Sequence, residues 1–392
     1  MGVWIFIAAI LIVVMIHESG HFFVAKAFNF KATKYFVGFG PTLWSTTKGE
    51  TEYGVKLLPL GGFVKIVGMN PYEEIPAEDV PRSYAKKPRW QRALVIVAGS
   101  ATHFVVAFVI LFVTTMTIGF PTQEASNVVA AVTTQVEGEP TAAADLALAP
   151  GDKIVAAGSI QDPSWEEISD YIRSRGGESA TFEIESDGGT RTESVVLGRA
   201  IFSEDGEVLE YAAPSEELRS PQPGEEVHGF LGVGPEPIFE KKGPVGAAGD
   251  AASRTWEVTQ LSVKGIGETF KMVFGGELWR ALTGSGERQI DEGPLGIIGA
   301  GRIASESVET GQTLNLIGLI VGFTVFVGLM NLLPLPPLDG GHLAVLAYES
   351  IFKREVDVRK LVPLAAAVIS FFVILFIAVL YLDLARPVRV PF

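Results

Sequence analysis

The chemistry in this chain is concentrated in His17-Glu18-Ser19-Gly20-His21. Residues four apart share one face of a helix, so the two imidazoles can reach a single metal ion, while the Glu between them lies close enough to take a proton from water beside it. A tetrahedral zinc held by two histidines still needs one protein ligand and keeps a position for water. The run falls inside an apolar stretch, where ionisable side chains are costly and mark function. Read blandly, these polar groups only pair with one another to hold helices together. A third ligand can be sought in Asn331-Leu332-Leu333-Pro334-Leu335-Pro336-Pro337-Leu338-Asp339-Gly340-Gly341-His342. Prolines unwind a helix end and expose backbone acceptors, and a carboxylate at Asp339 turned towards the interior would complete a His2Asp set. Taken alone, Asp339-Gly340-Gly341 reads as a loop turn.

These residues need membrane helices to position them. The chain has 392 residues, 48% hydrophobic and 19% charged, against about 25% charged in soluble domains; its mean hydropathy is +0.32. Val3 to Ala25, Ala93 to Phe120, Leu314 to Leu333 and Leu361 to Leu382 are each long enough to cross a hydrocarbon layer, which takes about 20 helical residues. The first lacks a basic leader and an A-x-A cleavage pattern and carries His17, Glu18 and His21, so it is expected to be a retained span rather than a signal peptide.

Charge is unevenly placed. Pro121 to Glu240 holds 24 acidic and 6 basic residues in a chain of net charge -14. That excludes nucleic acid as a natural partner, since a phosphate backbone needs clustered Lys and Arg. The absence of cysteine rules out disulfides, thiolate metal sites and a cysteine nucleophile. Lys and Arg crowd the loop from Lys26 to Arg92 and recur at Lys353, Arg354, Arg359 and Lys360, which places both loops in the cytoplasm. The acidic segment then lies outside, with Arg386 and Arg389 as a mild exception in the tail.

Between the spans, Lys31 to Gln91 has β character. Val55 to Val67, with Pro59 and Gly61-Gly62, suggests a hairpin or bent strand at an edge. Residues 125–199 are expected to form a small α/β domain with strands at Val128 to Thr133, Lys153 to Ala157, Ala180 to Glu185 and Thr192 to Leu197, and a helix from Trp165 to Ile172. Residues 200–244, with acidic runs from Glu204 to Glu226 that would keep it soluble, read as a linker, and 245–313 as amphipathic helices on the outer face. The flanking blocks, 1–120 and 314–392, carry the spans in pairs.

The pairing of H-E-x-x-H in the first span with N-x-x-P-x-P-x-L-D-G after the third resembles the site-2 protease family of intramembrane zinc metalloproteases. The likeness extends to Gly38 to Pro41, Gly49 to Tyr53, Leu58 to Val64 and Gly293 to Ile297, and the overall pattern resembles the bacterial branch with one PDZ domain. It implies a polytopic α-helical membrane protein with four transmembrane helices, a membrane-re-entrant β-hairpin and an external α/β PDZ-like domain in a bacterial inner membrane, with the active site towards the cytoplasm. It also implies a Zn2+ cofactor held by His17, His21 and Asp339, Glu18 as catalytic acid and base, and a substrate-backbone contact at Asn331. The hairpin residues Leu57, Leu58, Gly61, Gly62 and Phe63 would guide an extended substrate strand. Substrates would be membrane proteins such as anti-sigma factors, cut after a first external cleavage.

The chain departs from the family pattern in two places. Where A-G-P followed by an Asn is common, it has Ala98-Gly99-Ser100 and His103; His103 is expected to be buried and bonded to a neighbouring helix, the alternative being a fourth polar group at the site. In Ala143 to Asp152, Ala147 replaces a PDZ glycine. His228 is expected in a solvated loop and His342 at the cytoplasmic surface, the alternative for His342 being a place just behind the metal ligands. Two other functions fit part of the pattern: a membrane zinc transporter, and a PDZ adaptor with a structural metal site. Neither requires an unliganded base between the histidines.

Overall fold

The computed structural model describes residues 2–387 apart from 71–72, 137, 204–207, 215, 285–293 and 355. Glu204, Gly293 and Arg389 lie outside the described residues. Among the described residues, four helices are long and apolar enough to cross a membrane: Gly2–Ala27, Arg89–Thr117, Thr313–Asn331 and Arg359–Ala385. At about 1.5 Å per residue each approaches or exceeds the roughly 30 Å of a hydrocarbon core. The second ends before the expected Phe120 because Gly119, at φ 85°, closes it by donating its N–H to the Thr114 carbonyl at 2.8 Å, a left-handed glycine stop. The third ends at Asn331, short of the proline run.

The chain divides into two compact units, Met1–Val113 with Pro244–Phe392, and Thr114–Gly243. In the first, the stretch read from the sequence as amphipathic forms helices Pro244–Phe274, Glu277–Thr283 and Ile297–Glu309. Phe6 of the first span packs on Ala300 and Ala304. The fourth span's Asp383, 1% exposed, accepts the N–H groups of Gly296 at 3.3 Å and Gly299 at 2.9 Å. It thereby caps the helix Ile297–Glu309, whose first N–H groups have no partner within the helix.

The loop after the first span forms two long strands, β1 (Ala32–Lys48) and β2 (Thr51–Ile66). Of the two readings for Val55 to Val67, the bent strand is the one found. The tight turn lies upstream, at Gly49 and Glu50, and the bend sits at Gly61, whose φ of 125° suits glycine. Residues 34–37 therefore have two neighbours: Tyr35 pairs with Val64 on one side and Tyr53 on the other. Ala25, Phe30, Ile66, Tyr84, Val95, Ile96 and Leu346 pack into one buried cluster. Close packing of these side chains ties β2, the first two spans and the helix Asp339–Phe352 to one another.

The second unit is built on a six-stranded sheet in which Val233–Glu240, Phe120–Val132, Lys153–Ala157, Ser179–Ser186 and Gly189–Val196 lie side by side. The helix Trp165–Arg173 opens with a capping box between Ser164 and Glu167, the reciprocal pairing that satisfies two free donors. The stretch 200–244, read from its composition as a linker, is corrected here: Gly198–Phe202 is the middle strand of a second sheet with Val208–Ala212 and Glu226–Phe230. Ala200, Ile201, Tyr211 and Ala212 are buried, a small apolar set that the surrounding Glu, Pro and Gly conceal in an average. Arg219 takes up part of the acidity, reaching Glu225 at 2.6 Å and Glu210 at 3.0 Å. His228 lies on one of these strands, its Nε2 2.8 Å from Glu226, rather than in a loop.

Candidate metal centre

The first span is helical through the H-E-x-x-H run, so His17 and His21 share a face, and both are 8% exposed. Their Nε2 atoms are 3.0 Å apart. Asp339 is the first residue of the helix Asp339–Phe352, and its Oδ2 lies 3.3 Å from Nε2 of His17 and 3.2 Å from Nε2 of His21. Tetrahedral nitrogen and oxygen ligands at zinc distances of about 2.0–2.2 Å stand roughly 3.3–3.6 Å from one another; the three separations here lie at that lower bound or within about 0.3 Å below it, so a small outward shift of the side chains admits a metal ion.

The chemistry of the donor set agrees. Nδ1 of His21 sits 2.8 Å from the Val95 carbonyl. A carbonyl only accepts, so in a neutral ring this nitrogen carries the proton and Nε2 keeps its lone pair for a ligand bond. Asp339 Oδ2 is a buried oxygen with no hydrogen-bond donor, an expensive state unless a cation meets it. Among the described residues, His17, His21 and Asp339 form the group able to hold a metal, their ligand atoms all within 4.8 Å of one another.

Glu18 lies within electrostatic reach of His17, His21 and Asp339 and is held from another side. Its Oε2 accepts the main-chain N–H of Val64 on β2 at 3.0 Å. β1 is fastened to the same turn of the first span, with Tyr35 Oη 2.7 Å from Ser19 Oγ and the Ser19 hydroxyl donating to the Met15 carbonyl at 2.7 Å. Gly99 of the second span supplies the space for the imidazoles. A Cβ there would overlap the His21 ring and come within 2.9 Å of His17 Cε1.

Of the site residues expected from the sequence, the structure gathers His17, His21 and Asp339. Asn331 closes the third span half-buried and stands outside the three-ligand group. Leu57 and Leu58 are exposed, 52% and 49%; Gly61 and Gly62 are buried and Phe63 half-buried. Phe63 stacks on Phe36 at 5.6 Å. His103 is 1% exposed, with Nε2 3.1 Å from Nδ1 of His17, and Ser100 beside it is fully buried. His342 is half-buried one turn beyond Asp339. Sequence reasoning missed the Val95 carbonyl, the Val64 N–H and Gly99. The first two are main-chain groups and leave no signature, whereas the glycine between Ala98 and Ser100 stands in plain view without a role that its type alone reveals.

Comparison with known proteins identifies the family. The model for peptidase family M50 matches residues 5–377. The chain is 31% identical to the zinc metalloprotease Rip1 of Mycobacterium tuberculosis over 99% of its length and 98% of that protein. It is 29% identical to the metalloprotease MmpA of Caulobacter vibrioides, covering 88% and 85%, and 25% identical to the zinc metalloprotease RasP of Geobacillus kaustophilus, covering 91% of each. The chain belongs to peptidase family M50, the site-2 protease family, and is a membrane zinc metalloprotease of that type.

Proposed function

From membership of the site-2 protease family, we propose that this enzyme hydrolyses a peptide bond within a membrane-spanning segment of another protein, with His17, His21 and Asp339 holding zinc and Glu18 handling the proton. One observation carries the assignment: three buried ligand atoms from two distant parts of the chain converge within 4.8 Å, beside a carboxylate that is aimed separately by a strand. A bound zinc supplies Lewis acidity to the scissile carbonyl and to water. Glu18 removes a proton from the attacking water and later delivers it to the leaving amine. Val64 holds the carboxylate in place, and Gly99 keeps the second span's side chains clear of the imidazoles.

A peptide bond inside a helix is shielded by its own hydrogen bonds, so the substrate must unwind. The bent part of β2, our counterpart of a re-entrant hairpin, offers an edge for this. Val67 donates to the Lys31 carbonyl and Val64 donates away from β1 to Glu18; by the alternation of an antiparallel ladder, the N–H groups of Gly62 and Ile66 face the same side as that of Val64, away from β1. A substrate strand adding there exchanges its helical hydrogen bonds for ladder bonds, next to the proposed base. Asn331 is proposed to hold the substrate backbone from the third span.

In the wider reading, residues 125–199 within the unit Thr114–Gly243 form a PDZ-like domain outside a bacterial inner membrane, the site lies towards the cytoplasmic side, and the substrates are membrane proteins such as anti-sigma factors already trimmed by another protease. The test is reconstitution with a single-span protein, intact and with its outer domain removed. Cleavage of the trimmed form within the span, located by mass spectrometry and abolished by Glu18→Gln, is expected. Cuts confined to soluble loops would refute the intramembrane assignment, and equal cutting of intact and trimmed forms would refute the trimming requirement.

A further inference from the structure

The His17 imidazole has work at both nitrogens. Its Nε2 belongs to the three-ligand group, and its Nδ1 lies 3.1 Å from Nε2 of His103. We propose that His103 is a positioning residue for the metal centre, accepting the Nδ1 proton of His17 so that the Nε2 lone pair stays directed at zinc.

A neutral imidazole has one N–H, and the nitrogen that keeps it must find an acceptor when buried. His21 gives its proton to the Val95 carbonyl. His17 is buried as deeply, and the nitrogen facing its Nδ1 is that of His103. Metal-bound histidines depend on such an outer partner for tautomer, ring orientation and basicity.

His103 acts from the second span. Val95, Gly99 and His103 are spaced four apart and share one face of that helix: the first supplies a carbonyl to His21, the second leaves room for both rings, and the third meets His17. Accepting there leaves the His103 proton on Nδ1, which faces the Thr324 main chain of the third span; that span also backs the ring at Gly328, where a Cβ would stand 2.7 Å from the His103 Cβ. His103 is not itself a ligand in this arrangement, because the atom it approaches is the nitrogen of His17 turned away from the metal group.

The inference rests on the zinc reading, and its test separates the two. Full-length protein is purified, and zinc affinity is measured by competition with a chromophoric chelator for the wild type and for His103→Ala, His103→Gln, His103→Asn and Gly328→Ala. Loss of an outer partner weakens metal binding by about 10- to 100-fold, the effect expected for His103→Ala. A Gln carbonyl reaches the place of Nε2, so His103→Gln should recover most of the loss, while the shorter Asn should not. Gly328→Ala keeps both imidazoles and should weaken binding by displacing one of them. Unfolding midpoints of the metal-free proteins control for general damage; if His103→Ala unfolds, the Gln and Asn pair decides. Wild-type affinity in His103→Ala, or a loss in His103→Gln as deep as in His103→Asn, overturns the proposal. A wild type that binds no zinc would instead overturn the metal assignment on which it stands.

Discussion

Val64 donates its main-chain N–H to Glu18 Oε2 at 3.0 Å, so a strand edge 46 residues along the chain aims the proposed base. Pro at position 64 has no N–H to give. A hydrogen bond to a charged group is worth about 1.5–3 kcal/mol, so Val64→Pro should slow cleavage by roughly 10- to 100-fold while zinc content stays near the wild-type value. Zinc assay and turnover on the same preparation check this. Parallel loss of both would mean that the strand supports the ligands rather than the base.

The space provided by Gly99 gives a sharper metal test. Gly99→Ala puts a methyl group into the His21 ring and against His17, and neither imidazole can retreat without leaving the other or Asp339. Zinc per chain should fall well below one. Gly265→Ala, where a Cβ meets open space, is the matched control and should bind fully. Normal zinc content in Gly99→Ala would show that the rings sit elsewhere.

These two residues also mark how far the sequence could be read. The candidate group His17, His21 and Asp339, which the structure brings together, could be picked out because metal ligation needs particular side chains at helical or loop spacing, and the spans because apolar length is itself the signal. Lys153–Ala157 and Trp165–Arg173 followed from local pattern in the same way. Val64 and Val95 act through main-chain atoms that any residue possesses, so only tertiary placement reveals them. The strands within 200–244 were hidden because a few buried residues, Ile201 and Tyr211 among them, suffice when partner strands cover them. The turn at Gly49 and Glu50 is easily passed over in favour of Gly61, which bends a strand instead of ending one.

Glu50 ties that turn down. Arg82 grips its carboxylate at 2.6 and 2.8 Å and Lys26 at 2.6 Å, and Arg82 together with Lys26 holds the carboxyl down from 4.5 to about 2. A carboxyl depressed on folding adds stability that is fully present above the unfolded pKa and disappears as pH falls through the folded one. The contribution of Glu50 should therefore be complete above about pH 4.5 and fade towards pH 2. Thermal midpoints in detergent across that range should drop less steeply for Glu50→Gln, which should also be less stable than wild type at pH 7. Identical acid limbs would remove this pair from the stability of the hairpin.

Orientation in the membrane is open to direct labelling because the chain has no cysteine of its own. Ser45 on β1 and Asp187 in the second unit are both exposed. A single cysteine at position 187 should react with an impermeant reagent in intact cells, and one at position 45 only after permeabilisation. The opposite pattern would invert the protein and contradict the assignment made from Lys and Arg in the loops.

The central claim is that metal holding and proton handling belong to different residues of one site. It is tested most directly by measuring zinc content and cleavage of a trimmed single-span substrate together, in wild type, Glu18→Gln and Asp339→Ala. The account predicts about one zinc per chain and no cleavage for Glu18→Gln, and loss of both for Asp339→Ala. Wild-type cleavage by Glu18→Gln, or full zinc occupancy in Asp339→Ala, would contradict it.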